Sequence, residues 1–95
     1  MKIATKTVTL KVSGGGNLYT NKIDLNDCGL DISKIINCYV EIPLYMAIGL
    51  TSTGGGNITF TKSYDTSTGI LTMTAFGSVY CRDHSWECTV VAISE

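Results

Sequence analysis

Hydrophobic and polar residues alternate most regularly between residues 35 and 50, in the segment IINCYVEIPLYMAIGL. From Ile36 onward every even position up to Leu50 is apolar, whereas most odd positions are polar, small or carry a hydroxyl group. A sustained period of two indicates β-structure with one dry and one wet face. Pro43 has no N–H to donate to a ladder, so we expect a bend there that divides the segment into two strands.

The rest of the chain shows the same alternation in shorter pieces, separated by turns rich in Gly, Asn and Asp. Asp31 is placed to cap a single helical turn just before residue 35. The pattern predicts one all-β domain over residues 1–95, a small antiparallel β-sandwich or jelly-roll-like barrel of about seven to eight short strands. Besides the segment above, the candidate strands cover residues 2–12, 18–25, 58–64, 70–76 and 89–93.

Two glycine-rich segments resemble each other. SGGGNLYTNK at 13–22 and TGGGNITFTK at 53–62 each combine a turn, an Asn, a strand and a Lys, and Gly29 and Gly69 fall at matching offsets. Two hairpins with similar turns explain this similarity, and a duplicated half-sandwich is the alternative. Neither segment opens a helix or carries the Lys-Ser/Thr pair of a P-loop, so we predict turns here and no phosphate site.

Composition narrows the classes of function. The chain is 44% hydrophobic and 16% charged, with a net charge of −1, so disorder is not expected. Its seven Lys and Arg residues are scattered, which argues against a nucleic-acid partner. Lysines interrupt the N-terminal segment MKIATKTVTLKV, and no apolar run is long enough to span a membrane. We therefore expect synthesis in the cytoplasm without a signal peptide or membrane insertion.

Cysteine and histidine supply the candidate metal ligands. The spacing of Cys81, His84 and Cys88 lacks the paired Cys knuckles of structural zinc sites, and Cys38 falls on the apolar face of its strand, where a thiol packs as a small hydrophobe. We therefore predict no bound metal and no cofactor. Cys28 is the fourth cysteine of the chain. A disulfide between Cys81 and Cys88 across a hairpin stays open as an alternative.

His84 is the single histidine of the chain. A Cys–His nucleophile needs an orienting third group, and no spacing in the sequence supplies one. We predict that the protein is not an enzyme. A small metal-binding or hydrolytic protein using His84 and the cysteines is the third alternative.

Charged and aromatic residues concentrate in the segment CRDHSWEC at 81–88, which we predict to be a loop. Arg, Trp and Tyr are the residue types that anchor interfaces. Trp86 either contacts a partner or caps the core, and the sequence supports both. The candidate partner-binding residues are Tyr80, Arg82, Asp83, His84, Trp86 and Glu87, and the candidate subunit-interface residues are Tyr39 and Tyr45 on the outward face of the 35–50 segment.

Most of the chain resembles the small β-sandwich modules of bacteriophage virions, which occur in tail fibres, receptor-binding proteins and capsid decoration or head-fibre proteins. The resemblance lies in the segments KTVTLKVSGGGN, NKIDLNDCGLDISKIINCYVEI and ITFTKSYDTSTGILTMTA, with their Thr-rich strands and the D-x-S-T-G-x-L-T hairpin.

The resemblance implies a non-enzymatic structural or binding module located in a virion. It also implies a homo-oligomer, with a trimer favoured, that contacts another virion protein or a host surface through its loops. Four cysteines are more than such modules usually carry. A small intracellular phage-encoded inhibitor that binds a host factor is therefore the alternative.

Overall fold

A computed structural model describes residues 1–41, 58–77, 79 and 82–95. The predicted all-β class is confirmed. The described residues form β1 (Lys2–Val12), β2 (Leu18–Asp24), a 3₁₀ turn (Ile32–Lys34), β3 (Ile35–Glu41), β4 (Ile58–Asp65), β5 (Ile70–Gly77) and β6 (His84–Ser94). Several predictions fall outside the described residues: the bend at Pro43, the interface role of Tyr45, the second glycine-rich turn, and the roles of Tyr80 and Cys81.

The strands form two three-stranded antiparallel sheets that pack face to face. Sheet A has the order β1-β6-β3, and sheet B has the order β2-β5-β4. The chain passes from one sheet to the other after β1, β2, β3 and β5, so the β4–β5 hairpin alone joins sequence neighbours within a sheet among the described strands. Of the two architectures predicted, this arrangement is the sandwich.

The core lies between the two sheets and contains the apolar positions that the alternation predicted. Leu10 of β1, Leu71 and Ala75 of β5, and Leu25 after β2 are each completely buried. Their neighbours at odd spacing, such as Thr9 and Thr7 of β1, are exposed. The period-two pattern therefore sets which face of each strand enters the core.

The predicted alternation of the 35–50 segment is wrong at its start. Ile35 is 6% exposed, whereas Ile36 is 58% exposed. The pairing of β3 with β6 shifts register between Ile35 and Asn37, which is a β-bulge that inserts one residue and reverses the phase of the pattern. From Cys38, which is 4% exposed, the predicted inward and outward faces are confirmed as far as Glu41.

The prediction of a loop over residues 81–88 is wrong for its second half. His84 begins β6, the central strand of sheet A, which pairs with β1 from Val12↔His84 to Lys2↔Ser94. The polar residues of this segment suggested a loop, but they belong to the outward face of a strand. Trp86 and Cys88 occupy the inward positions between them and are 6% and 3% exposed.

The turn that precedes β3 and the turn that precedes β5 both follow the predicted chemistry. The Asp31 carboxylate accepts a hydrogen bond from the Ser33 backbone N–H at 3.0 Å and caps the 3₁₀ turn. Between β4 and β5, the Asp65 carboxylate accepts from the Ser67 backbone N–H at 2.8 Å, and Gly69 has φ +73°.

The similarity between residues 13–22 and 53–62 does not mark equivalent positions. It aligns Lys22 with Lys62, but Lys22 pairs with Thr72 of β5, whereas Lys62 pairs with Met73. The aligned residues therefore lie on opposite faces of sheet B. This supports the interpretation that two strands with similar turns, and not two copies of one unit, produced the similarity.

Candidate functional site

The described residues of the predicted partner-binding loop point in different directions. Arg82 and Asp83 precede β6 and are exposed, and His84 and Glu87 are exposed on β6 itself. Because successive residues of a strand point to opposite faces, His84 shares the inward face with Trp86, whereas Glu87 points outward. They do not form a single contact surface.

Trp86 belongs to the core. It lies opposite Leu10 in the β1–β6 ladder and is 6% exposed. The His84 ring packs against it edge to face, with 4.9 Å between ring centroids and an angle of 61°. The sequence left open whether Trp86 contacts a partner or caps the core, and the structure places its side chain in the core.

Asp83 and His84 contribute to a cleft of about 530 Å³ at the end of the sandwich, together with Lys11 and Tyr19. Asp83 is held in place because its carboxylate accepts a hydrogen bond from the Gly14 backbone N–H at 2.8 Å. Lys11 and Tyr19 were missed because only the strand register brings them to this end of the sandwich.

The chemistry available in this cleft is that of a polar binding surface. In the described part of the chain, the His84 imidazole makes its ring contact with Trp86, and no hydrogen bond joins it to Asp83 or to a serine hydroxyl. The cleft thus presents an imidazole, a carboxylate, an ammonium group and a phenol without a connected relay between them.

The outer face of sheet A carries a second candidate surface around Tyr39, which is 38% exposed. Tyr39 pairs with Val91, and Val91 pairs on its other side with Thr5. The adjacent row is Ile3, Ile93 and Asn37. We call the four apolar residues of these two rows the outer patch; they are Ile3, Tyr39, Val91 and Ile93.

The outer patch is apolar and uncharged. Ile3 is 65% exposed, and Val91, at the centre of the sheet, is 7% exposed although it points away from the core. The two rows that contain the patch hold no acidic or basic side chain, and Glu41 lies one row further along, opposite Thr89. Such a surface loses little by desolvation when another apolar surface covers it.

A signal for the outer patch was present in the sequence. The segment VVAI at 90–93 is apolar at both parities, which is typical of a strand buried on both faces. The sequence pattern predicted only a strand over residues 89–93, and that prediction alone does not say whether the outer face of the strand is apolar. Tyr39 was predicted as an interface residue and does lie on an exposed face, but its neighbours Ile3, Val91 and Ile93 were missed.

The outer face of sheet B has a different character. Its central row is Thr20, Thr74 and Thr61, and hydroxyl side chains continue in the next row at Thr72 and Ser63. Its most exposed apolar residues lie at one end, where Leu18 pairs with Phe76, and the half-buried Ile70 lies at the other end between Asp24 and Asp65. The two wide faces of the sandwich are therefore chemically distinct.

Of the described cysteines, Cys38 and Cys88 are buried and Cys28 is half-buried. Burial raises the pKa of the Cys38 thiol above its usual value, and the nearby Lys62 ammonium offsets part of that rise. Burial also raises the pKa of the Cys88 thiol. Among the described residues, no group of three or more His, Cys, Asp or Glu side chains is placed to hold a metal ion.

Within the described ranges, no helix has the length and apolar character needed to cross a membrane. The chain matches no known family model, no curated protein and no solved structure at a significant level.

Proposed function

We propose that this protein is a non-enzymatic structural and binding module that assembles with copies of itself through the outer patch, as the modules of phage virions that it resembles do. The observation that carries the proposal is the uncharged apolar area that the exposed side chains of Ile3 and Tyr39 form on the outer face of sheet A. The solvent-facing side of a sheet normally carries polar residues, and the outer patch departs from this rule at four positions in two adjacent rows.

The size of the face is compatible with assembly. β1 and β6 have 11 residues each and β3 has seven, so the outer face of sheet A is about 36 Å long at most and about 14 Å wide. Two such faces would bury about 900 Å² in total, which is the size of a weak, transient contact. The proposal therefore predicts a concentration-dependent association.

The absence of charge in the patch favours a second copy as the occupant. A surface that meets its own copy places like residues close together, and charged residues there would repel each other. The rows Ile3–Ile93–Asn37 and Thr5–Val91–Tyr39 avoid this cost. Two patches face to face give a dimer, whereas the trimer that the resemblance to virion modules favours requires three patches to meet around a three-fold axis.

Molecular mass by light scattering over a range of protein concentrations tests the proposal. Ile3→Lys places a charge in the outer patch at an edge position that is 65% exposed, and should weaken association by about tenfold or more. Leu18→Lys is the matched control, because Leu18 is 68% exposed on the outer face of the other sheet.

A dimer or trimer that Ile3→Lys weakens and Leu18→Lys leaves intact supports assembly through the outer patch, and a trimer also supports the resemblance to virion modules. A wild-type protein that stays monomeric at every concentration overturns assembly and favours the inhibitor of a host factor. Equal effects of the two substitutions would move the interface away from the outer patch.

A further inference from the structure

The flank of the sandwich between β3 and β4 is closed by two side chains of β4. The Lys62 ammonium donates a hydrogen bond to the Cys38 carbonyl oxygen at 2.6 Å. Two residues further along, the Tyr64 hydroxyl donates to the Ile32 carbonyl oxygen at 2.8 Å. These side chains hold the two sheets together here in place of a backbone ladder, and they leave space between them.

That space is a cavity of about 160 Å³. Its inner side is apolar and nearly buried, where Ile35, Cys38 and Leu71 line it. Its outer side combines Ile36, which is 58% exposed, with the exposed polar residues Asn37 and Ser63. Lys62 and Tyr64 also line it, towards the solvent side. An apolar protein cavity of about 150 Å³ accepts a molecule the size of benzene.

The positive charge of Lys62 at the cavity is not paired with a carboxylate of the described residues. The Lys62 ammonium has three donors, of which one is used by the Cys38 carbonyl oxygen. No carboxylate of the described residues lies within ion-pair distance of Lys62, since the ion pair seen in this part of the chain joins Lys6 and Asp27. Lys62 also lies close enough to the Cys38 thiol to affect its pKa.

An apolar surface with one cation at its edge selects an anion with a small apolar body. We infer that this cavity binds a small aromatic monocarboxylate, with the ring against the Ile36 side chain and the carboxylate on the Lys62 ammonium. A charge-assisted hydrogen bond supplies the preference for the anion, and the size of the cavity limits the body to about one ring. This site is separate from the outer patch, so it does not depend on self-assembly.

Benzoate is the probe, with benzyl alcohol as its uncharged analogue and acetate as the anion without a ring. Each is titrated into the ¹⁵N-labelled full chain while the amide shifts of Cys38 and Leu71 are followed. We expect saturable shifts with benzoate at a dissociation constant of about 1 mM, and binding weaker by about tenfold for each of the other two.

Lys62→Met keeps most of the side-chain stem and removes the charge, so benzoate should then bind no better than benzyl alcohol. Lys62→Arg should restore the preference for benzoate. Lys22→Met is the matched control, because Lys22 also flanks β5 but lies on the outer face of sheet B, and it should leave benzoate binding unchanged.

Several outcomes would overturn the inference. These are no saturable shift at Cys38 and Leu71, equal binding of benzoate and benzyl alcohol to the wild-type protein, or unchanged benzoate binding by Lys62→Met. The comparison of the two probes on the wild-type chain decides the matter even if Lys62→Met does not fold.

Discussion

The side chain of Asn21 pairs with the backbone of Lys11 as a neighbouring strand would. Its amide oxygen accepts from the Lys11 N–H at 2.9 Å, and its amide nitrogen donates to the Lys11 carbonyl oxygen at 2.9 Å. The same nitrogen lies 3.2 Å from the Met73 carbonyl oxygen. One buried amide therefore joins β1 of sheet A to β2 and β5 of sheet B.

Replacing Asn21 should destabilise the fold. Asn21→Leu has nearly the same shape but leaves the Lys11 N–H and the two carbonyl oxygens without this partner, at a cost of about 2 kcal/mol in the free energy of unfolding. Urea denaturation measures it. Thr20→Val, one residue earlier and on the outer face, is the control and should change stability by less than about 0.5 kcal/mol. Equal losses would show that the amide pairing contributes nothing specific.

Trp86 should be required for stability. Because Trp86 is 6% exposed and lies opposite Leu10, Trp86→Ala leaves a large cavity and should lower the free energy of unfolding by about 3 to 5 kcal/mol. Guanidinium denaturation followed by circular dichroism measures this loss. His84→Ala removes the ring that packs on Trp86 but is exposed, so about 1 kcal/mol is expected. A melting temperature unchanged by Trp86→Ala would contradict the position of this side chain in the core.

Much of the fold could be predicted from alternation alone. β1, β2, β4 and β5 begin at the predicted residue, because most of their inward residues are apolar, with exceptions such as Asn21 and Lys62, and their outward residues are mostly Thr, Ser or Lys. The Asp31 cap and the hairpin turn that ends at Gly69 were also predictable, since each depends on local backbone chemistry.

What could not be predicted depends on register and on pairing across the sheets. A bulge at Ile36 reverses the phase of β3 without any Gly or Pro to announce it. His84 and Ser85 look like loop residues because both faces of β6 are exposed at its start. The outer patch and the Lys62 cavity each combine residues from distant strands, so sequence spacing does not reveal them.

Acid should destabilise the turns capped by Asp31 and Asp65. Hydrogen bonds from the Ser33 side chain and backbone lower the pKa of Asp31, and those from Ser67 lower the pKa of Asp65. The stabilisation is therefore complete above the pKa of the unfolded chain and is lost as the pH falls through the lower folded value.

Urea midpoints measured from about pH 5 down to about pH 2 should fall steadily in the wild-type protein. Asp65→Asn should have a shallower fall, because its amide no longer titrates. Glu87→Gln is the control, since the Glu87 carboxylate accepts no hydrogen bond from the described residues. An acid dependence in Asp65→Asn as steep as in the wild-type protein would remove Asp65 as a cause.

Alanine substitutions at Gly69 and Gly29 distinguish two contributions to the free energy of unfolding, the cost of a left-handed backbone and the cost of steric crowding. Both have positive φ, +73° and +87°, so an alanine at either position should cost about 1 kcal/mol. A Cβ at Gly29 meets no atom within 4 Å, whereas at Gly69 it would lie 2.8 Å from Asn26 Nδ2 and 2.9 Å from Ile32 Cγ2. Asn26 cannot yield without loss, because that nitrogen donates to the Thr68 carbonyl oxygen at 2.8 Å. Gly69→Ala should therefore lower the free energy of unfolding by about 1 to 3 kcal/mol more than Gly29→Ala in urea denaturation, and equal losses would show that Asn26 can move away from the Gly69 position without cost.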